Sequence, residues 1–377
     1  MRWLKTLARR VALPLALSLS AVLPLSLVLS APVAAATEPR VEIVATGLNR
    51  PWSIAFLPGG GVLVTERNGG LHRIEGIRMS RVSGVPQVLN EGQAGLFDVV
   101  ADPGFQQNGL IYLSFAHGTR AANGTRIVRA KLVGNSLLEV TPIYTVTPLK
   151  RGNVHFGGRM AFLPDGTLAF TTGDGFDFRE QAQRLESPLG KVMRITTDGK
   201  VPPDNPFVSE AGAVGTIYSR GHRNPQGLAF DPVRGVLFEH EHGPRGGDEV
   251  NVIRPGRNYG WPVATLGLDY SGATISPYRR YPGMEDGLVV WVPSIAPSGL
   301  AVYRGRMFPE WEGDLLVGAL VDKEVRRIRL SPDGKVLGQQ SLFRSIGERI
   351  RDVRVAPDGS VWVTTDDDKG KVLRISR

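Results

Sequence analysis

The sequence predicts an all-β fold, a six-bladed β-propeller. Three observations predict it: a hairpin pattern that recurs six times, no sustained helical period beyond the N-terminal segment, and apolar runs at both ends of the domain that can pair. Each repeat is an apolar strand, a short Pro/Asp/Gly turn and a second apolar strand, and a spacing of roughly 45 to 70 residues suits blades of four strands. A single blade is too small a sheet to bury both of its faces. Blades packed around an axis cover one another and leave only short edges. The 46 glycines and 27 prolines among 377 residues follow no strict period, which excludes collagen and marks tight turns between apolar runs. A pair of β-sandwiches is the competing architecture, but six similar units without a linker disfavour it.

The first 36 residues stand apart from the repeats. Arg2, Lys5, Arg9 and Arg10 make a basic start, residues 11–33 are uncharged and mostly apolar, and Ala34-Ala35-Ala36 offers small residues to a peptidase. This pattern reads as a signal peptide with Thr37 as the mature start, so that residues 37–377 form one propeller domain exported to the periplasm. An uncleaved anchor is the alternative, since the apolar run is nearly long enough to span a bilayer. Pro14, Pro24 and Pro32 favour cleavage. The Arg9-Arg10 pair lacks a twin-arginine context, so the export route stays open. The segment carries four of the 45 basic residues and none of the 36 acidic ones, which lowers the net charge from +9 to +5. That mild charge, without a Lys/Arg run, argues against a nucleic-acid partner. The absence of cysteine excludes thiol catalysis and thiolate metal sites, and it leaves an exported chain to fold without disulfides.

The hairpins follow in order. Residues 53–60 lead into 62–65, 95–103 into 110–114, and 160–166 into 168–174. Residues 227–232 then lead into 236–239, 299–303 into 314–318, and 352–359 into 361–365. Spacing widens after the second repeat, so the third to fifth blades are expected to carry the long loops where function tends to sit. A short helical turn is expected near residues 180–185. Residues 41–44 pairing beside 372–375 would close the ring.

Chemistry-bearing residues collect just before the hairpins. His155, in Asn153-Val154-His155-Phe156-Gly157-Gly158-Arg159, precedes the third; a neutral imidazole there can take a proton from an alcohol near neutral pH. The bland alternative is a buried histidine bonded to a carbonyl. Gly221-His222-Arg223-Asn224-Pro225-Gln226-Gly227 precedes the fourth, where an Asn-Pro turn with a structural ion pair is the alternative. The loop from Glu239 to Asn251, with Gly243, Pro244 and Glu249, continues to Asn258-Tyr259-Gly260-Trp261-Pro262. Its carbonyl and carboxylate oxygens suit a hard cation such as Ca²⁺, although acidic glycine loops are commonly plain turns. His240 and His242 share a strand face and, with His155, raise a zinc reading that no recognisable third-ligand spacing supports. Arg349 and Arg351 alternate onto one face before the sixth hairpin and can grip carboxylates, or else form an exposed cationic strand end.

Taken in order, Gly92-Gln93-Ala94-Gly95-Leu96, His155-Phe156-Gly157-Gly158-Arg159, Arg223-Asn224-Pro225-Gln226-Gly227, residues 241–251 and Asn258-Tyr259-Gly260-Trp261-Pro262 resemble the soluble glucose/sorbosone dehydrogenases that use pyrroloquinoline quinone (PQQ), in particular their aldose sugar dehydrogenase branch. The resemblance runs from Leu48 to the last blade. It implies a six-bladed propeller that oxidises aldoses at C1 to lactones with PQQ and Ca²⁺. It implies that His155 removes the C1 hydroxyl proton while hydride passes to the quinone C5, and that Arg223 steadies the negative charge developing on the cofactor oxygen. Arg223 and Asn224 would hold PQQ, with Gln93, Arg349 and Arg351 lining its pocket. The Gly243 and Pro244 carbonyls would bind the calcium that polarises the quinone, and Glu249 and Tyr259 would match a second, structural calcium. The sequence departs from the family pattern twice. Val154 replaces an acid before the histidine, which points to fewer sugar contacts. Val321 stands near the position of a PQQ-contacting lysine, with Lys323 as a substitute only if the strand is regular. A metal-dependent lactonase and a non-catalytic binding propeller are the other readings. An aldose and an unidentified electron acceptor are the expected partners of a monomer or dimer, with a membrane involved only if the leader is retained.

Overall fold

Short apolar runs separated by Pro/Asp/Gly turns fold as strands, and the strands pair into six antiparallel four-stranded sheets in the computed structural model. The structure describes residues 38–377; the expected signal segment 1–36 and the expected start at Thr37 lie outside them. The inner strands of successive blades are Pro51–Phe56, Leu96–Ala101, Met160–Phe162, Pro225–Asp231, Pro297–Val302 and Ile350–Val355. Each neighbours the inner strands on either side around the axis.

Second strands such as Val62–Glu66, Leu168–Thr172 and Leu315–Ala319 are buried at every position, because a neighbouring blade covers each face of the sheet. Outer strands such as Arg78–Arg81 and Val336–Leu342 are largely exposed. The core therefore lies between blades: Leu63, Leu96, Val99 and Leu113 join the first two, while Phe238, Val250, Leu300 and Val317 join the fourth and fifth.

Closure follows the sequence expectation. Arg40–Leu48 pairs antiparallel with Gly370–Ser376, with Val41 opposite Ile375 and Ile43 opposite Leu373. The first strand of the domain thus completes the last blade. Long connections occupy 173–190 in the third blade, 254–288 in the fourth and 303–314 in the fifth. The helical turn expected near 180–185 is a 3₁₀ turn at Arg179–Gln183.

Candidate active site

Residues that lead into the inner strands line two adjoining cavities. The first, of ≈ 310 Å³, is bounded by His155, Asp174, Phe176, Arg223, Pro244 and Trp261. The second, of ≈ 280 Å³, has Gln93, Asn224, Arg349 and Arg351 in its wall, with Trp52 and Phe156 among its aromatic residues. Consecutive pairs of residues bridge the two, His155 with Phe156 and Arg223 with Asn224. The separate segments singled out in the sequence therefore converge.

His155 is buried and adopts a left-handed backbone at φ +52°. Among the described residues, four of the seven non-glycine residues at positive φ line these cavities: Arg50, His155, Phe176 and Ala296. Such conformations persist only where surrounding structure enforces them, and they cluster at functional sites. Here the His155 amide donates to Gln93 Oε1 at 2.9 Å. Gly173 is required beside it, since a Cβ there would sit 2.3 Å from the His155 carbonyl oxygen. That close approach brings in Asp174, whose Oδ1 lies 2.7 Å from His155 Nδ1. Trp261 Nε1 and the Phe176 amide, both at 2.8 Å, fix the same carboxylate.

Burial pushes the His155 imidazole below its ordinary value, with Arg223 and Lys150 adding to the effect and Asp174 opposing it. Burial alone would raise the Asp174 carboxyl, but its bond with His155 and the nearby charges hold it below the usual range. The pair is accordingly a neutral imidazole and a carboxylate. With Nδ1–H donated to Asp174, Nε2 keeps its lone pair free as a base. The sequence alone does not single out Asp174, which lies just beyond the apolar strand Leu168–Thr172; only the fold brings it to His155.

Arg223 is buried and pairs with no carboxylate through its guanidinium among the described residues. Nη1 donates to the carbonyls of His242 at 3.1 Å and Gly243 at 2.7 Å, and the group lies 5.4 Å from the Trp261 ring centroid. An uncompensated guanidinium beside a neutral base suits a developing negative charge. Asn224 accepts from Gln226 Nε2 at 3.2 Å. Arg351 Nη2 lies 2.9 Å from Asp366 Oδ2, while Arg349 donates to the Leu320 carbonyl at 3.2 Å.

Several expectations change. The strand that would have aimed Lys323 with Val321 is not regular: both lie in the turn between Leu315–Ala319 and Glu324–Leu330, and Lys323, at φ +53°, is exposed and lines neither cavity. The three histidines of the zinc reading do not converge. His240 Nε2 lies 3.2 Å from the Gly299 carbonyl, His242 Nε2 lies 2.6 Å from that of Pro297, and His155 faces Asp174.

The cation donors are partly in place. Pro244 faces the His155 cavity, and carbonyl oxygens fit calcium, but the Gly243 oxygen is shared with Arg223. Tyr259 commits its hydroxyl to the Val252 carbonyl at 2.6 Å, so the phenol is not a free ligand. Glu249, itself half-buried, instead adjoins a buried group of Glu239, Glu241, Asn251 and His222. Burial pushes Glu241 and Glu249 up to about 8, the latter aided by the charge of Glu241, and Glu239 Oε1 and Asn251 Oδ1 have no partner. Such oxygens fit a hard cation better than an empty interior.

The cofactor test is also one of donors. Arg67 and Arg351 each leave a buried Nε without a partner, in a cavity with aromatic walls and one lining carboxylate, Asp366. A flat polycarboxylate fits that surface. The Glucose / Sorbosone dehydrogenase family pattern matches residues 48–374. The chain belongs to that family. As a glucose/sorbosone dehydrogenase family member it is 42% identical over 365 residues to the aldose sugar dehydrogenase YliI of Escherichia coli K12, covering 94% of this chain and 97% of the relative. The structure of the soluble aldose sugar dehydrogenase from E. coli in its apo form superposes with a TM-score of 0.86 at 40% identity, over 90% of this chain and 99% of that one. The PQQ-bound form of an aldose sugar dehydrogenase from Streptomyces coelicolor gives 0.72 at 31% identity, over 90% and 99%. This glucose/sorbosone dehydrogenase is therefore a sugar dehydrogenase with a six-bladed propeller fold.

Proposed function

We propose that the protein is a periplasmic, PQQ- and calcium-dependent dehydrogenase that oxidises aldoses at C1 to lactones. The observation that carries this reading is the neutral His155, oriented by Asp174, facing the same cavity as the unpaired Arg223 guanidinium. In this reading the sugar's C1 hydroxyl lies against His155 Nε2, which takes its proton as the C1–H bond breaks. The Asp174 carboxylate stabilises the imidazolium that results, without itself being protonated. Arg223 and Trp261 exclude water and set the electrostatics of the wall. Bound PQQ would supply the two-electron acceptor for the C1 hydride, held by Gln93, Arg223, Asn224, Arg349 and Arg351, with calcium on the Gly243 and Pro244 carbonyls as Lewis acid. A second cation would rest on Glu249 and its carboxylate neighbours. An unidentified acceptor would then receive the electrons, and the basic, apolar leader would direct export.

The test is reconstitution. Apoprotein mixed with PQQ and Ca²⁺ is expected to reduce an artificial acceptor when given aldoses. His155→Ala is expected to lose that activity while still binding PQQ; full activity in the variant would remove His155 from the mechanism.

A further inference from the structure

We infer that Arg50 and Arg67 complete the carboxylate cradle of the cofactor cavity, doing the work of the family lysine near whose position Val321 stands. The inference rests on the PQQ reading and deepens it. Four guanidinium groups line the ≈ 280 Å³ cavity, those of Arg50, Arg67, Arg349 and Arg351, against the single lining carboxylate of Asp366. A tricarboxylate brings three negative charges to that surplus. Lys323 cannot supply the missing cation from its exposed turn, where it lines no part of the cavity.

Arg67 is the least compensated of the four. It forms no ion pair among the described residues, and its buried Nε has no hydrogen-bond partner. Burial lowers its affinity for the proton, and the charges of Arg50 and Arg351 lower it further. An anion seated among these groups relieves both costs. The backbone holds Arg67 in place: its amide donates to the Arg50 carbonyl at 3.2 Å, and its carbonyl accepts from the Leu96 amide at 2.9 Å. Gly95 is needed for this packing, because a Cβ there would lie 2.4 Å from Arg67 Cγ.

Arg50 closes the same wall from the junction between the sixth and first blades. Its amide donates to the Asp367 carbonyl at 2.8 Å and its Nε to Asp368 at 2.5 Å, on a backbone held at φ +48°. Asp368 is exposed, so this ion pair is weak compensation and the guanidinium remains available to a ligand. The junction between the sixth and first blades and the turn after the first blade's second strand thus place two cations that the sequence reading did not include.

The experiment is a titration of calcium-loaded apoprotein with PQQ, followed by tryptophan fluorescence and calorimetry without sugar or acceptor. Arg67→Gln and Arg50→Gln are each expected to raise Kd about tenfold or more, with Arg67→Lys recovering part of the loss and Lys323→Gln binding like the parent. Circular dichroism and melting curves confirm that each variant is folded. The PQQ trimethyl ester is expected to bind parent and Arg67→Gln equally, because the charges that Arg67 reads are gone. Parent binding with both Gln variants within twofold of it would overturn the inference and leave the cofactor reading standing. Failure of the parent to bind PQQ would overturn both.

Discussion

In the proposed reaction, catalytic competence at the residue scale depends on one carboxylate behind one imidazole. Asp174 fixes the His155 tautomer through the 2.7 Å contact and partly offsets the fall in the imidazole's proton affinity that burial causes. Asp174→Asn is expected to lower kcat by about 10³–10⁴-fold, the scale seen when the orienting acid of a histidine base is neutralised. The sign of the pH effect follows from the same contact. Removing a group that raises the His155 value lets burial lower it further, so the acid limb of kcat/KM moves to lower pH. A purely structural role for Asp174 would leave that limb in place, and a pH–rate profile of the variant decides between them. His155, Arg223, Asn224, Arg349 and Arg351 were legible because each stands beside a repeat boundary in a short motif. Asp174 and Arg67 were not, since each ends or follows an ordinary apolar strand and gains meaning only from a neighbouring blade. The Lys323 expectation failed because strand periodicity was extended through residues 320–323, which are a turn.

For whole elements, the hairpin repeats carried the architecture: the Pro/Asp/Gly turns and period-two runs specify where strands begin, and the six inner strands appear where the repeats place them. The ring closure was legible too, because residues 41–44 lie outside the six hairpins and find their partner in the free edge of the run 372–375 at the other end of the domain. The long connections at 173–190 and 254–288 were not, as they have no period and take their shape from the cavity they cover. The closing strand gives a direct test. Leu48 is 1% exposed and belongs to a cluster with Ile54, Val64 and Val372, so deleting residues 38–48 removes core and opens the Gly370–Ser376 edge. Scanning calorimetry is expected to record a fall in Tm on the order of 10 °C, with aggregation that grows with concentration. Ile43→Lys, at a side chain 63% exposed, is expected to stay within about 2 °C of the parent. A deletion that melted like the parent would show that the sixth blade is stable with three strands.

Across the whole molecule, one side chain joins all six blades. Arg159 sits in the third blade at 1% exposure, its guanidinium 3.9 Å from the Trp52 ring centroid in the first. Nη1 lies 3.7 Å from Asp98 Oδ1 in the second blade and 3.1 Å from Asp352 Oδ1 in the sixth, an ionic contact without hydrogen-bond alignment. Nε donates to the Gln226 carbonyl in the fourth blade at 2.8 Å, and Nη2 reaches the Ser298 carbonyl in the fifth at 3.5 Å. Burial lowers the guanidinium to about 10, with Asp352 and Asp98 opposing the fall, so it stays charged at neutral pH. Arg354 shares the two carboxylates, at 3.1 Å from Asp98 and 2.9 Å from Asp352. Arg159→Met therefore leaves two buried acids facing one cation in place of two. Breaking a buried ion cluster from one side costs about 3–5 kcal/mol, whereas neutralising its members together costs less. Urea unfolding is expected to show that loss for Arg159→Met, and a smaller one once Asp352→Asn is added to it, which leaves Asp98 paired with Arg354. If the double variant were less stable than Arg159→Met by the full effect of Asp352→Asn alone, the contacts would be independent and not an axial tie among the blades.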